Sequence, residues 1–175
     1  MRRLRWLLLS LALLSAAAVV LVDASEREDI ASLHPDLRDT IQAVVDRLES
    51  EGHTVRISAT WRSPSRQEAV FHLSRLTEHL GLGPGTTLRG GDSCHNQRHD
   101  GAAASAAADL RGAMALSVDE QADFYKALGR AAREHGLRWG GNWKRKNPTW
   151  AKYELGWDPG HVEHQALCQQ LRDGT

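Results

Sequence analysis

The segment Asp158-Pro159-Gly160-His161-Val162-Glu163-His164 places four ionisable side chains within seven residues. Because a proline and a glycine precede His161, a helix is excluded here, and we expect an extended strand over 161–163. Side chains alternate along a strand, so His161 and Glu163 share one face while His164 points to the other. His161 is therefore expected to act with a distant histidine and carboxylate rather than with His164.

Two positions upstream supply such partners. His95 lies in the polar, glycine-containing loop 90–96, and loops of this kind carry function more often than packing. Asp109 ends an apolar run that starts at Ala106, and a carboxylate at the end of a buried strand needs a metal or cation beside it. Three such ligands with an open fourth position hold catalytic zinc, and Asp158 could take a proton from the water that zinc activates. The residues alone leave open that these histidines are ordinary core or surface side chains.

The rest of the chain predicts one α+β domain over residues 35–175, preceded by a linker over 25–34. Apolar residues at helical spacing, Pro35 in the first turn and a Ser117/Glu120 capping box mark helix positions. The predicted helices cover residues 35–51, 64–80 and 117–135. The predicted strands cover residues 55–60, 106–110, a segment that begins at 137, and 161–163.

The first 24 residues predict export. Three arginines precede an uncharged stretch of 17 residues from Trp6 to Val22, after which the chain turns polar. This order is typical of a signal peptide, with Val22-Asp23-Ala24 as a possible cleavage site, whereas an uncleaved membrane anchor is the alternative. The positive end would stay in the cytoplasm in both cases, which places the domain outside it.

Charge and cysteine content narrow the partners. Lys+Arg and Asp+Glu both total 22, so the chain offers no electrostatic case for binding nucleic acid. Cys94 and Cys168 form an even pair, which suggests a disulfide in an oxidising compartment, although two separate buried thiols are the alternative. Contact with a membrane is expected only through an uncleaved leader, and a monomer is expected.

Six short motifs in one order resemble a known family. They are Leu33-His34-Pro35, Thr60-Trp61-Arg62-Ser63-Pro64-Ser65-Arg66-Gln67, Ser93-Cys94-His95, Ala107-Ala108-Asp109, Gly136-Leu137-Arg138-Trp139-Gly140-Gly141-Asn142-Trp143 and Asp158 to Glu163. The chain resembles the VanY-type D-alanyl-D-alanine carboxypeptidases and, more closely, the L-alanyl-D-glutamate endopeptidases of bacteria and phage lysins. Each motif alone is weak, whereas six in the correct order are specific.

The resemblance implies a zinc site and a set of residue roles. His95, Asp109 and His161 would bind Zn²⁺, Asp158 would be the general base, and Arg62 would stabilise the oxyanion. The resemblance also implies substrate contacts and a residue that orients a ligand. The substrate contacts would be Gln67, Ser93 and Trp143, and the orienting residue would be Glu163.

One departure from the family concerns the spacing of two ligands. The step from His95 to Asp109 is fourteen residues, about twice the family's usual step, so 97–103 is interpreted as an insertion. A longer loop costs little to close, so the site can survive it. The alternatives are that His99 or Asp100 binds the metal, or that the insertion lines the cleft.

The disulfide prediction also depends on the resemblance. Cys94 adjoins one implied ligand, His95, and Cys168 follows another, so a bridge would tie two ligand-bearing segments together. A Cys94 thiolate as a metal ligand is the alternative.

The resemblance implies a small antiparallel sheet flanked by helices, with a metal cleft on the sheet, as in DD-peptidase and hedgehog-like folds. The expected activity is hydrolysis of a peptidoglycan stem peptide in the periplasm, by a domain that an uncleaved leader would anchor to the inner membrane. The Trp-Gly-Gly-x-Trp motif favours an L-Ala–D-Glu endopeptidase over a D-Ala–D-Ala carboxypeptidase. An inactive wall-binding protein of the same fold and a phage-derived lysis protein are the alternatives.

Overall fold

The structure is a computed structural model, and it describes residues 26–79, 86–145 and 147–174. The predicted leader, residues 1–24, lies outside this part of the chain. Within the described residues, no helix is both long enough and apolar enough to cross a lipid bilayer.

Helices and short strands alternate along the described chain. The helices are α1 (Pro35–Ser50), α2 (Pro64–His79), α3 (Val118–Glu134), α4 (Pro148–Ala151) and α5 (Gln165–Asp173). The strands are β1 (Arg56–Ala59), β2 (Arg98–His99), β3 (Ala102–Ala103), β4 (Ala107–Arg111), β5 (Arg138–Trp139) and β6 (His161–Glu163). Single 3-10 turns cover Ile30–Ser32, Cys94–Asn96 and Gly140–Asn142. The predicted helices and strands are therefore confirmed; β1 is shorter than the predicted 55–60, whereas β4 and β6 have the predicted lengths.

Four strands form one antiparallel sheet in the order β1-β4-β6-β5. In its register Ala108 lies opposite Val162, and Asp109 lies opposite His161. Because side chains alternate along a strand, Ala108, Leu110 and Val162 point to one face, and Asp109 and His161 point to the other. The register of β4 against β6 therefore puts two predicted ligands on the same face.

The first of these faces carries the hydrophobic core. Leu110 and Val162 are fully buried there, in one cluster with side chains from α1 and α3. Helix α1 contributes Leu37, Ile41, Val44 and Leu48, and helix α3 contributes Phe124 and Leu128 among others. The opposite face is left for a cleft, so the predicted α+β fold, with its small antiparallel sheet flanked by helices, is confirmed.

Residues 26–34 belong to the folded domain, which corrects their interpretation as a linker. Leu33 is fully buried in the core, and its neighbour His34 pairs through its backbone with Ser105. Arg27 exchanges backbone hydrogen bonds with Thr60 and Trp61 at the end of β1. The few apolar residues of this segment show no helical or strand periodicity. The segment is held in place mainly by backbone hydrogen bonds, which any sequence can make.

The insertion over 97–103 is a β-hairpin. Strands β2 and β3 pair antiparallel, and Asp100 and Gly101 form the turn with φ values of 50° and 75°. Asp-Gly is the dipeptide that favours a two-residue turn in which both central residues have positive φ. The seven extra residues therefore fold back on themselves and leave the ends of the loop close together.

Candidate metal centre

Three separate elements bring His95, Asp109 and His161 together on the cleft face of the sheet. Asp109 and His161 lie opposite each other on β4 and β6. His95 lies in the 3-10 turn Cys94–Asn96, where Ser93 caps the turn by accepting a hydrogen bond from the His95 backbone N–H at 3.3 Å. The structure thus gathers the three residues that the motifs identified as ligands.

Their inward-facing atoms form a nearly equilateral triangle. His95 Nε2 is 3.2 Å from His161 Nδ1 and 3.3 Å from Asp109 Oδ1, and His161 Nδ1 is 3.0 Å from the same oxygen. Ligands about 2.0–2.1 Å from a tetrahedral zinc ion lie about 3.3–3.4 Å from one another. The triangle therefore has the size of one face of such a coordination shell.

The outward-facing nitrogens determine which atoms carry protons. His95 Nδ1 donates to the Thr60 carbonyl at 2.5 Å, and His161 Nε2 donates to Glu163 Oε2 at 3.0 Å. In a neutral imidazole the other nitrogen then presents a lone pair. Two lone pairs and the Asp109 carboxylate thus converge at about hydrogen-bond distance, an arrangement that needs a cation between them. The donor set and its outer partners fit a divalent metal ion.

The charges and hydrogen bonds of the cluster shift the pKa values of its members. Burial alone would lower the pKa of His161, but its hydrogen bonds to Asp109 and Glu163 and their charges raise it to about 10. Burial likewise opposes ionisation of Asp109, yet the charges and hydrogen bonds of His95 and His161 hold its pKa well below the usual value. The Glu163 pKa is lowered despite partial burial, because His161 and Arg138 both bind this carboxylate.

Asp158 lies beside the triangle at the start of the turn that leads into β6. Burial and the negative charge of Asp109 raise the pKa of Asp158 above its usual value. In the described part of the chain, no hydrogen bond to the Asp158 carboxylate is formed. Gly140 packs closely against this turn, and a Cβ at position 140 would lie only 2.2 Å from the Asp158 carbonyl oxygen. The glycine lets the 140–142 turn pack directly against the backbone of the segment that leads into β6.

Arg62 and Gln67 form one network at the end of β1. Arg62 Nη1 donates to Gln67 Oε1 at 2.9 Å, and Gln67 Nε2 donates to Thr86 Oγ1 at 3.1 Å and to the Leu88 carbonyl at 2.8 Å. Gln67 is almost fully buried. The polar atoms of Gln67 are thus engaged within the protein, which suits a residue that holds Arg62 better than a direct substrate contact.

Trp143 and Ser93, two further predicted substrate contacts, both lie at the cleft. The Trp143 ring is tilted against the His161 ring with centroids 5.2 Å apart. Ser93 is buried and its hydroxyl caps the turn that carries His95, as described above. Both side chains therefore support ligand residues in addition to facing the cleft.

A disulfide joins Cys94 to Cys168. It connects the turn that carries His95 to helix α5, which directly follows β6. The predicted pairing is therefore present in the structure, and a Cys94 thiolate is not among the candidate ligands.

A cleft of about 690 Å³ surrounds the triangle. Its lining includes Val70, the segment Thr86 to Leu88, and three tryptophans, Trp143, Trp150 and Trp157. The cleft also contains several arginines, namely Arg62, Arg111, Arg138, Arg145 and Arg172. The cleft is thus lined by aromatic side chains and by cationic ones.

The hairpin 97–103 contributes no side chain to the wall of this cleft. His99 and Asp100 are exposed and lie outside the metal-binding group of the described residues. The alternatives in which the insertion binds the metal or lines the cleft are therefore not supported.

Sequence reasoning missed three residues near the centre. Thr60 accepts from His95, Glu26 binds Arg62, and Tyr125 lines the cleft beside Asp158. Burial, with the nearby charge of Asp158 among the other contributions, raises the pKa of Tyr125. Tyr125 follows Phe124 at a core position of an amphipathic helix, so its sequence context indicates packing. Only the sheet register and the helix position bring it to the cleft.

Comparison with known proteins gave matches among solved structures. No protein-family model matches the chain, and a search of curated proteins found no match. The Serratia marcescens L-Ala D-Glu endopeptidase ChiX is 26% identical, with 80% of this chain and 86% of that chain covered at a TM-score of 0.46. The LdcB LD-carboxypeptidase is 13% identical, with 81% of this chain and 64% of that chain covered at a TM-score of 0.43.

Proposed function

We propose that the chain is a zinc-dependent peptidase that hydrolyses a peptide bond in peptidoglycan stem peptides. The observation that carries the proposal is the triangle of His95 Nε2, Asp109 Oδ1 and His161 Nδ1, with outer partners that turn both lone pairs inward. When bound by three such ligands with a fourth position open, zinc lowers the pKa of a water molecule and polarises a carbonyl group.

The side chains around the triangle have the properties that amide hydrolysis needs. Asp158 accepts the proton of the attacking water, and its raised pKa favours passing that proton to the amine that leaves when the C–N bond breaks. Arg62 donates hydrogen bonds to the carbonyl oxygen as this oxygen gains negative charge. Glu163 keeps the His161 ring in the orientation that directs Nδ1 inward.

Among stem-peptide bonds, we propose L-Ala–D-Glu as the one that is cut. The Trp-Gly-Gly-x-Trp motif at 139–143 supports this choice, and its second tryptophan, Trp143, lines the cleft. The domain is proposed to act outside the cytoplasm, and the Cys94–Cys168 disulfide supports this because disulfides persist in oxidising compartments.

The test combines defined substrates with one substitution. Zinc-loaded protein should release L-Ala from the D-Glu-containing remainder of a stem peptide, as measured by mass spectrometry of the fragments. Asp158→Asn should lower kcat by about 10²–10⁴-fold, while zinc content stays at one per chain. Asp92→Asn changes another carboxylate of the same cleft and should leave kcat unchanged. A zinc-loaded wild type that cuts no stem-peptide bond would contradict the proposal and favour a wall-binding role.

A further inference from the structure

The N-terminal end of the described chain is fastened to the strand end that leads to Arg62. The Arg27 backbone N–H donates to the Trp61 carbonyl at 2.8 Å, and the Thr60 N–H donates to the Arg27 carbonyl at 2.6 Å. Thr60 Oγ1 donates to the carbonyls of Arg27 and Asp29 at 2.9 and 3.0 Å. The segment 26–29 thus has a defined position, and its first residue, Glu26, pairs with Arg62 in an isolated β-bridge.

Glu26 binds the guanidinium of Arg62 from one edge. Arg62 Nε donates to Glu26 Oε1 at 2.6 Å, and Arg62 Nη2 contacts the same oxygen. Gln67 accepts from Nη1, so three of the five guanidinium N–H groups are bound by the protein. The two others remain for a ligand in the cleft, which Arg62 lines. Only 15% of the Arg62 side chain and 18% of the Glu26 side chain are exposed.

A fixed guanidinium matters in this cleft because other carboxylates compete for it. Asp109 and Asp158 line the same space as Arg62. A long arginine side chain without a partner would gain a charge-assisted hydrogen bond by turning to either of them. Such a turn would neutralise the base or a metal ligand and would remove the cation from the substrate carbonyl. Glu26, which also pairs with Arg66, is a partner outside the reacting groups and prevents it.

We propose that Glu26 is a positioning residue for Arg62, which keeps the guanidinium directed at the substrate carbonyl and away from Asp109 and Asp158. This inference rests on the proposed function of Arg62 as the group that stabilises the oxyanion. Glu26 itself does not touch the substrate. Its carboxylate fixes the direction of Arg62, and Gln67 fixes it from the other side.

The first experiment is the kinetics of Glu26→Ala and Glu26→Gln in the zinc-loaded full chain. Since Arg62 acts on charge that develops only in the transition state, Glu26→Ala should lower kcat by about 10–100-fold with KM within about twofold. Glu26→Gln keeps an acceptor for Arg62 and should lose less. Zinc content should match wild type, and kcat measured well below the unfolding transition of each variant separates positioning from a general loss of structure.

The matched control is Glu28→Ala. Glu28 belongs to the same segment, and its carboxylate lies 3.7 Å from Arg56, a residue outside the cleft wall. This variant should keep kcat within about twofold of wild type. If Glu28→Ala lowers kcat as much as Glu26→Ala, the segment acts through its general stability, and the inference is wrong.

A double-mutant cycle tests whether Glu26 acts through Arg62. In an Arg62→Ala background, Glu26→Ala should have no further effect on kcat, because the residue it positions is gone. Equal effects of Glu26→Ala in both backgrounds would overturn the inference, as would a Glu26→Ala variant with wild-type kcat.

One measurement remains informative if the wild type cuts no stem peptide, an outcome that would reject the proposed function instead. The Arg62 Nε–H signal in a nitrogen-15 NMR spectrum should exchange slowly with water in wild type. In Glu26→Ala this exchange should become at least about tenfold faster, since the hydrogen bond that protects the proton is lost. Rapid exchange in wild type would contradict the proposed clamp.

Discussion

The segment 95–109 contains two histidine–aspartate pairs, His95–Asp109 and His99–Asp100. The first pair belongs to the candidate metal centre, and the second does not. His95 Nε2 is 3.3 Å from Asp109 Oδ1, and His99 Nε2 is 3.6 Å from Asp100 Oδ2. The two distances are similar, but the side chains of the first pair are 4% and 18% exposed, against 50% and 91% for the second.

The difference shows that a histidine close to an aspartate is not enough to form a candidate metal site. The buried pair has a third donor, His161, and an outer carbonyl that fixes the proton on His95. The exposed pair lies on a hairpin at the surface. Solvent there weakens the attraction between the His99 and Asp100 side chains. A metal site requires convergent lone pairs held away from water, which the sheet register supplies.

The largest expected effect compares one substitution in each pair. His95→Ala should reduce bound zinc to well below one per chain and lower kcat/KM by at least about 10³-fold, because it removes one of the three ligands. His99→Ala should leave both quantities within about twofold of wild type. Metal analysis after dialysis and steady-state kinetics check the two variants side by side.

The opposite ranking would reverse the assignment of the ligands. If His99→Ala removed zinc and His95→Ala kept it, the insertion would carry the ligand and the 97–103 hairpin would have to turn towards the cleft. Comparable loss in both variants would indicate a folding defect, which circular dichroism of the two proteins would detect.

The sequence predicts the buried pair through context rather than composition. His95 lies in a polar loop motif, and Asp109 lies at the end of an apolar run. These contexts distinguish the two residues as candidate ligands from the other histidines and acidic residues of the chain. The fold class followed from helix caps, helical spacing and β-branched alternation. The Asp100-Gly101 dipeptide favours a hairpin turn, so the sequence also carries a local signal for the fold of the 97–103 insertion.

Other parts of the site depend on contacts that leave no local signal. Glu26 lies 36 residues from Arg62, and a single glutamate in a polar segment looks like any solvated one. The resemblance implies that Gln67 contacts the substrate, whereas in the structure its side chain is buried and binds Arg62, Thr86 and Leu88, contacts that depend on where loop 86–88 lies. Such long-range pairs follow only from the assembled fold.

The second prediction concerns the Cys94–Cys168 disulfide, which lies next to His95 of the buried pair. A variant with Cys94→Ser and Cys168→Ser should lose about 2–4 kcal/mol of unfolding free energy, because the disulfide closes a loop with a sequence separation of 74 residues. Urea unfolding with the linear extrapolation method measures the change. The loss should be accompanied by weaker zinc binding, since Cys94 adjoins His95.

Reduction of the wild-type protein provides the control for that variant. It should lower stability to a similar value, whereas the double variant should not respond to reductant. A wild type whose unfolding midpoint is the same with and without reductant would show that the bridge does not form in solution.

The smallest expected effect concerns the proton on His161, the third residue of the triangle, and the pH dependence of zinc binding. With the pKa of His161 raised to about 10 in the metal-free cluster, this residue carries a proton at neutral pH. Zinc must displace that proton, so its apparent affinity should rise about tenfold per pH unit between pH 6 and 8. Competition with a chromophoric chelator measures the slope, and His99→Ala should show the same slope as wild type.

The sign of the stability effect provides an independent check on the same proton. A raised pKa in the folded state stabilises the metal-free protein fully below the unfolded value of about 6.5, and this contribution is lost as pH rises through about 10. Zinc binding replaces the proton and should flatten this dependence. A zinc affinity that is independent of pH over 6 to 8 would mean that His161 is already neutral, and that the Asp109 and Glu163 carboxylates do not hold a proton on its ring.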